Sequence, residues 1–142
     1  MSGQVIVLLK HWLRYAWASP TSVLGLLFAS VLLLTGASAR TVDGVLEVSD
    51  GWLANKLTRI SGFAALTLGH VVLGHSAECL RRLRAHEHVH VRQAERWGLF
   101  FVPAYLLAGV WQWMRGRHIY DDNPFELEAF AAESAQCTAD EM

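Results

Sequence analysis

The sequence predicts an α+β fold, a short β-sheet packed with helices behind one N-terminal apolar helix. Three observations carry that prediction. There is an uncharged run at 22–39, a set of glycine-punctuated, β-branched stretches between Val42 and Leu73, and a pair of helical stretches with start signals at Ser76 and Asn123.

Composition narrows the classes. The chain has 142 residues, 53% hydrophobic and 18% charged, which is room for one domain and too apolar for a disordered chain. With 12 Lys and Arg against 13 Asp and Glu, the net charge is -1. No basic field is present to hold a polyanion, so no nucleic-acid partner is expected. Cys79 and Cys137 are too few for a disulfide frame and form no Cys-x-x-Cys pair. The 6 Trp and 7 His suit places where apolar and polar surroundings meet, and a membrane boundary is one such place.

Residues 5–17 put Lys10 and Arg14 on one helical face and Val5, Leu8, Leu9, Trp12 and Ala16 on another, as in an interfacial helix. Residues 22–39 carry no charge and, at about 1.5 Å per residue, reach roughly 27 Å, so one membrane span is expected. The rival is a cleaved signal peptide, with Ala37-Ser38-Ala39 as its cleavage site; the long Trp-bearing stretch ahead of the run argues against removal. Residues 1–40 thus read as a membrane anchor and 41–142 as the folded domain.

Asp43-Gly44 sets a hairpin turn beside a β-branched run. A linking helix at 51–61 follows, and Ala65 to Leu73 reads as one strand. Ser76 to Trp97 reads as a helix capped by Ser76 and stopped at Gly98, turning Leu80, Leu83, Glu87, His90 and Ala94 inward. Gly98 to Met114 is again uncharged and nearly of membrane length, interrupted by Pro103. The last helix has Asn123 as cap, Pro124 at its first position and Glu126 three after the cap; it is expected to end near Ser134, with a frayed tail beyond Cys137.

His86-Glu87-His88-Val89-His90 contains H-E-x-x-H on the predicted helix. Positions i and i+4 lie about 40° apart around the axis, so His86 and His90 can aim their rings at one point, as zinc requires. Glu87 falls on the same side, set to act on a water at the metal. From this composition the pattern arises by chance at about 2%, the alternative being a solvated, His-rich helix face. Two histidines hold zinc poorly, and a third ligand is needed. The extended motif with a third His is absent, because Arg96 takes that place and Gln93 replaces its turn glycine. A Glu on a second helix is the other solution, with Glu126 and Glu128 as candidates. Glu126 has a competing role in closing a capping box with Asn123.

His86-Glu87-x-x-His90 followed by a helical Glu-x-Glu-Ala resembles the gluzincin class of zinc metallopeptidases. The whole layout, from the Trp-rich start through Leu68-Gly69-His70-Val71 to Asn123-Pro124-Phe125-Glu126, is similar to the very short integral-membrane minigluzincins. The resemblance implies a minimal zincin core with a short sheet, an active-site helix and a glutamate helix. It implies Zn2+ held by His86, His90 and Glu126, with Glu128 as runner-up. Phe130 stands where those families place an Asp that steadies a ligating His, so another residue must do that work.

The implied activity is membrane-associated endopeptidase action on a protein or peptide, with Glu87 as general base. An extended substrate would lie along strand 65–73, at Leu68, Gly69, His70 and Val71. Tyr120 or His118 would supply a donor to the oxyanion. The competing class is a non-catalytic membrane metal-binding or scaffolding protein. His70 and His75 read as structural, and His88 as meeting water or lipid headgroups. Cys137, as a thiolate, is a candidate regulatory ligand that holds the site latent.

One shared ion requires the His and Glu helices to lie on the same side of a bilayer, so 98–114 cannot cross it once. A monotopic or re-entrant element fits, with Trp97, Trp111 and Trp113 at headgroup depth. Arg81, Arg82, Arg84, Arg92, Arg96, Arg115 and Arg117 would then meet anionic lipid or solvent. The expected partner is thus a lipid bilayer, in an integral-membrane setting such as a bacterial cytoplasmic membrane. Equal basic flanks leave the orientation unassigned, and no oligomeric state follows from the sequence.

Overall fold

A computed structural model describes residues 3–140. The interfacial and spanning segments expected at the N-terminus are one continuous helix, α1 (Gly3–Leu34). Pro20 lies inside it and cannot supply the N–H that Ala16 would otherwise receive; Ser19 Oγ donates to that carbonyl instead, at 2.7 Å. Val5 and Arg14, expected on opposite faces, lie outside the residues whose side chains are described. The apolar stretch long enough to cross a membrane is Ala16–Leu34, and the helix stops short of the predicted end at 39. Gly36 adopts φ +91°, and the chain turns there into the first strand.

That strand, β1 (Ser38–Val42), pairs antiparallel with β2 (Val45–Ser49) through the Asp43-Gly44 turn, both residues at positive φ as expected for a two-residue hairpin. The linking helix is α2 (Trp52–Ser61). The single strand expected at 65–73 is two: β3 (Ala65–Leu68) and β4 (Val71–Gly74), an antiparallel pair. Gly69 takes φ +61° and His70 completes the turn, so a run that looks uniformly β-forming folds back on itself. The sheet order is β1-β2-β4-β3, with β2 and β4 parallel.

The strands' alternating side chains give the sheet two buried faces. On one, Val48 and Val71 join Ala29 and Leu32 of α1 and Ala54 of α2. On the other, Val45 and Val72 meet Leu80 and Val91 of α3 (Ala77–Trp97). Ser76 caps α3 by accepting from the Cys79 N–H at 3.2 Å. A 3-10 turn, Gly98–Phe100, leads into α4 (Phe101–Met114). With 14 residues, α4 is about 21 Å long, short of a span. Pro103 sits in its first turn, where the missing N–H costs nothing.

The last helix, α5 (Pro124–Asp140), runs past the expected end at Ser134 because nothing in 134–140 breaks it. Its Asn123 cap is fully buried, accepting from the Phe125 N–H at 3.1 Å and donating to Tyr105 O of α4 at 3.1 Å.

Candidate metal centre

The i, i+4 spacing on α3 brings the two imidazoles together. His86 Nε2 and His90 Nε2 lie 3.3 Å apart, both rings buried. The first turn of α5 carries Glu126 to them, with Oε2 at 3.2 Å from His86 Nε2 and Oε1 at 3.4 Å from His90 Nε2. An ion bound at 2.0–2.2 Å with tetrahedral angles holds its ligand atoms about 3.4 Å apart. The observed separations are of that size, with the carboxylate turning one oxygen to each ring, and one ligand atom from each of the three residues lies within 4.8 Å of the other two. Glu126 is only 2% exposed, and its Oε2 accepts no hydrogen bond, an unmet need that a cation satisfies. His86, His90 and Glu126 are thus a buried group that can hold a metal ion.

Neighbouring groups fix the donors. Gln93 Nε2 donates to Phe125 O at 3.0 Å and to Glu128 Oε2 at 2.8 Å, which turns Gln93 Oε1 toward His90 Nδ1 at 2.8 Å. His90 therefore carries its proton on Nδ1, and in the neutral ring the lone pair points from Nε2 into the cluster. His86 Nδ1 sits 3.2 Å from Glu133 Oε2, at ion-pair distance though outside hydrogen-bond alignment. Glu133 thus lies beside His86 on the side where Phe130 can offer no acceptor; the Phe130 ring lies 5.2 Å from that of His86, tilted 59° to it. The Tyr105 hydroxyl donates to Glu126 Oε1 at 2.6 Å.

The electrostatics follow from burial and pairing. Burial works to raise the Glu126 pKa, but the pairing with His86 and His90 at ion-pair distance and the Tyr105 hydrogen bond outweigh it and hold the carboxyl far below the usual range. Burial works to lower the pKa of His86 and of His90, yet Glu126 raises both. Glu87 is raised by burial, against a 2.6 Å hydrogen bond from Thr67 Oγ1. A buried carboxyl with a raised pKa beside a metal group is poised to take up and release a proton.

These groups floor a cavity of about 260 Å³ with otherwise apolar walls, Phe63, Leu66, Leu68, Phe101, Val102 and Leu106 among them. Strand β3 forms one side and is one of the two edge strands of the sheet. His75 N–H donates to Ala64 O, so by antiparallel alternation Ala65 and Thr67 turn their N–H and C=O groups outward along that edge.

Not every expected residue reaches the site. Glu128 bonds Gln93 and is exposed, leaving Glu126 as the carboxylate in the cluster and ending its competing role in a capping box. Of the four residues expected along the substrate edge, Leu68 alone lies on β3. Gly69 and His70 form the turn, and Val71 is buried in β4 between two strands. Tyr120 lines the cavity, and burial with the nearby Glu126 carboxylate keeps its phenol protonated. His118 does not join it: its side chain is 82% exposed and faces Asp121. Cys137 lies on α5 eleven residues beyond Glu126, about 16 Å along the axis, and is exposed, too far to ligate. His88 is half-buried, and burial pushes its pKa down rather than leaving it at a headgroup surface. Arg84 likewise turns inward, to Glu47 at 2.8 Å.

Thr67, Gln93, Tyr105 and Glu133 were not marked by the sequence. Gln93 at i+3 from His90 and Glu133 at i+7 from Glu126 share a helical face with a ligand, which is a readable signal; Thr67 and Tyr105 meet the site only through the tertiary fold. Comparison with known protein families, curated proteins and solved structures finds no match to this chain.

Proposed function

We propose that this chain is a membrane-associated zinc-dependent endopeptidase. The observation that carries the reading is the close convergence of His86, His90 and Glu126 with Glu87 buried beside them at a cavity. Two imidazoles and one carboxylate are a borderline donor set that suits Zn2+, and three protein ligands leave a fourth position for chemistry. When bound, the ion supplies Lewis acidity, polarising a carbonyl and acidifying water.

The protein groups do the rest. An extended peptide pairs with the outward N–H and C=O groups of Ala65 and Thr67, which is sequence-tolerant main-chain recognition. Glu87 takes the proton of the attacking water and returns it to the leaving amine. Thr67 Oγ1 holds that carboxylate in place, and its raised pKa suits both halves of the transfer. Tyr120 donates its phenolic proton as a hydrogen bond to the oxygen that gains charge. The apolar stretch Ala16–Leu34 keeps the enzyme at a lipid membrane.

The test is Glu87→Gln. Cleavage of an unfolded protein should fall by about 10²–10⁴-fold while bound zinc stays unchanged. Equal cleavage would overturn the assignment of Glu87. Zinc retention without cleavage even by the unaltered protein would favour a non-catalytic metal-binding role.

A further inference from the structure

The apolar stretch of α1 is joined to the rest of the fold along most of its length: the sheet and its turn meet it from Ser22 to Leu32, and Trp17 packs on Gly98 and Phe100. Ala18, Thr21, Gly25, Ala29 and Leu32 are buried on one helical face. At Gly25 a Cβ would lie 2.7 Å from Val71 Cβ and 2.8 Å from Leu68 O, so helix and sheet approach as closely as backbones allow. One turn earlier, Ser22 Oγ accepts the His70 N–H at 3.1 Å, while His70 Nε2 lies 3.1 Å from Glu95 Oε1 on α3. From Ala18 to Leu32 is about 21 Å of helix, against about 28 Å for the whole Ala16–Leu34 stretch.

The sheet therefore accompanies the helix through any depth it enters. Gly25 is the midpoint of the stretch. Val71, packed on it, pairs with Leu46, and Leu46 pairs with Thr41 of the exposed outer strand, in one row across the sheet. Were α1 to cross a bilayer, that row would sit near the middle of the hydrocarbon. The open edge of β1, the Asp43 turn and the Glu47–Arg84 pair would sink with it. Free strand edges are not tolerated in lipid, and each charge there is penalised. Yet the faces of α1 away from the sheet are apolar, with Val23, Leu24, Leu27, Phe28 and Val31 exposed, Trp12 exposed toward the N-terminal end, Trp17 half-exposed against Gly98, and no charged residue in Ala16–Leu34.

We infer that α1 lies flat in one leaflet, its outer face in the acyl chains, and does not cross; the sheet and the metal centre stay on the side of the membrane from which the helix enters. A helix lying in the plane immerses its apolar arc by about 5–10 Å, which wets the exposed arc and leaves the buried face to the protein. This rests on the membrane reading proposed above and replaces the span expected from length and composition.

Sidedness tests it. In sealed membrane vesicles from an expressing host, a membrane-impermeant maleimide is offered to Gln4→Cys in a Cys79→Ser, Cys137→Ser background, and separately to the native, exposed Cys137 in Cys79→Ser. Both thiols should label from the same face and be protected together on vesicles of opposite orientation. Labelling from opposite faces would overturn the flat anchor while leaving the membrane reading intact. Recovery of the chain in the soluble fraction, as a monomer or as a dimer that covers α1, would overturn both.

Discussion

The two faces of the sheet are built on opposite terms. Toward α1 and α2 the contacts are aliphatic, with Ala29, Leu32, Val48, Ala54 and Val71 meeting over fully buried surface. Toward α3 the sheet buries, beside the aliphatic Val45, Val72, Leu80 and Val91, the polar Glu47 and Thr67 and, beyond them, His86, Glu87, His90 and Glu126. Each buried ion costs several kcal/mol in desolvation, and swapping such groups for hydrophobes of similar size often stabilises a fold. A chain selecting only for stability would not place five ionisable groups there. The aliphatic face holds the structure, and the polar face is what the structure holds.

Substitutions sharpen that contrast. The largest effect is expected for Glu126→Ala, which should lower zinc affinity beyond the 10–100-fold that loss of an outer partner costs and abolish cleavage, whereas Glu128→Ala, which removes one of the two acceptors that orient Gln93, should reduce both far less. Bound metal by elemental analysis checks both. On the opposite face, Leu32→Ala should cost about 2–5 kcal/mol in denaturant unfolding and leave the metal affinity of the folded protein unaltered. Equal loss of metal affinity would show that the faces are not separable.

A smaller effect is expected at Glu133. Removing its carboxylate as Glu133→Ala should weaken zinc binding by about 10–100-fold, and Glu133→Gln, which keeps a hydrogen-bond acceptor near His86 Nδ1, should recover part of it. Isothermal titration compares the two. The smallest concerns Glu47, where burial favours the neutral carboxyl but hydrogen bonds and charge from Arg84 and Arg40 prevail, so its pKa falls below the ordinary 4.5. A carboxyl lowered in the folded state stabilises above its unfolded value, and the gain is lost as pH drops through the folded one. Stability measured from pH 5 downward should therefore decline more steeply in the parent chain than in Glu47→Gln.

Local signals explain what the sequence revealed. The H-E-x-x-H helix, its Ser76 cap, the Asn123 start of α5 and the Asp43-Gly44 turn are each set within a few residues, and each appears where expected. The split of 65–73 rests on the local turn at Gly69, whose φ is +61°, and was hidden in a run otherwise rich in strand formers; what the sequence could not show is that Ser22 of α1, 47 residues earlier, packs where a Cβ on Gly69 would lie. Likewise, the flat run of apolar residues in α1 reports that it avoids water but not that one narrow face is claimed by the sheet. At the site, the convergence of His86 and His90 was legible from helical spacing, while the choice between Glu126 and Glu128 depended on Gln93 and Tyr105 arriving from other elements.

The central claim is that three side chains from two helices hold one divalent ion. Its most direct measurement is zinc titration of the metal-stripped chain, alongside the triple variant His86→Ala, His90→Ala, Glu126→Ala. One ion per chain should bind tightly to the parent, with protons released as the raised imidazoles give up theirs, and none to the variant. Absence of saturable binding by the parent, or the same binding by the variant, would contradict the account.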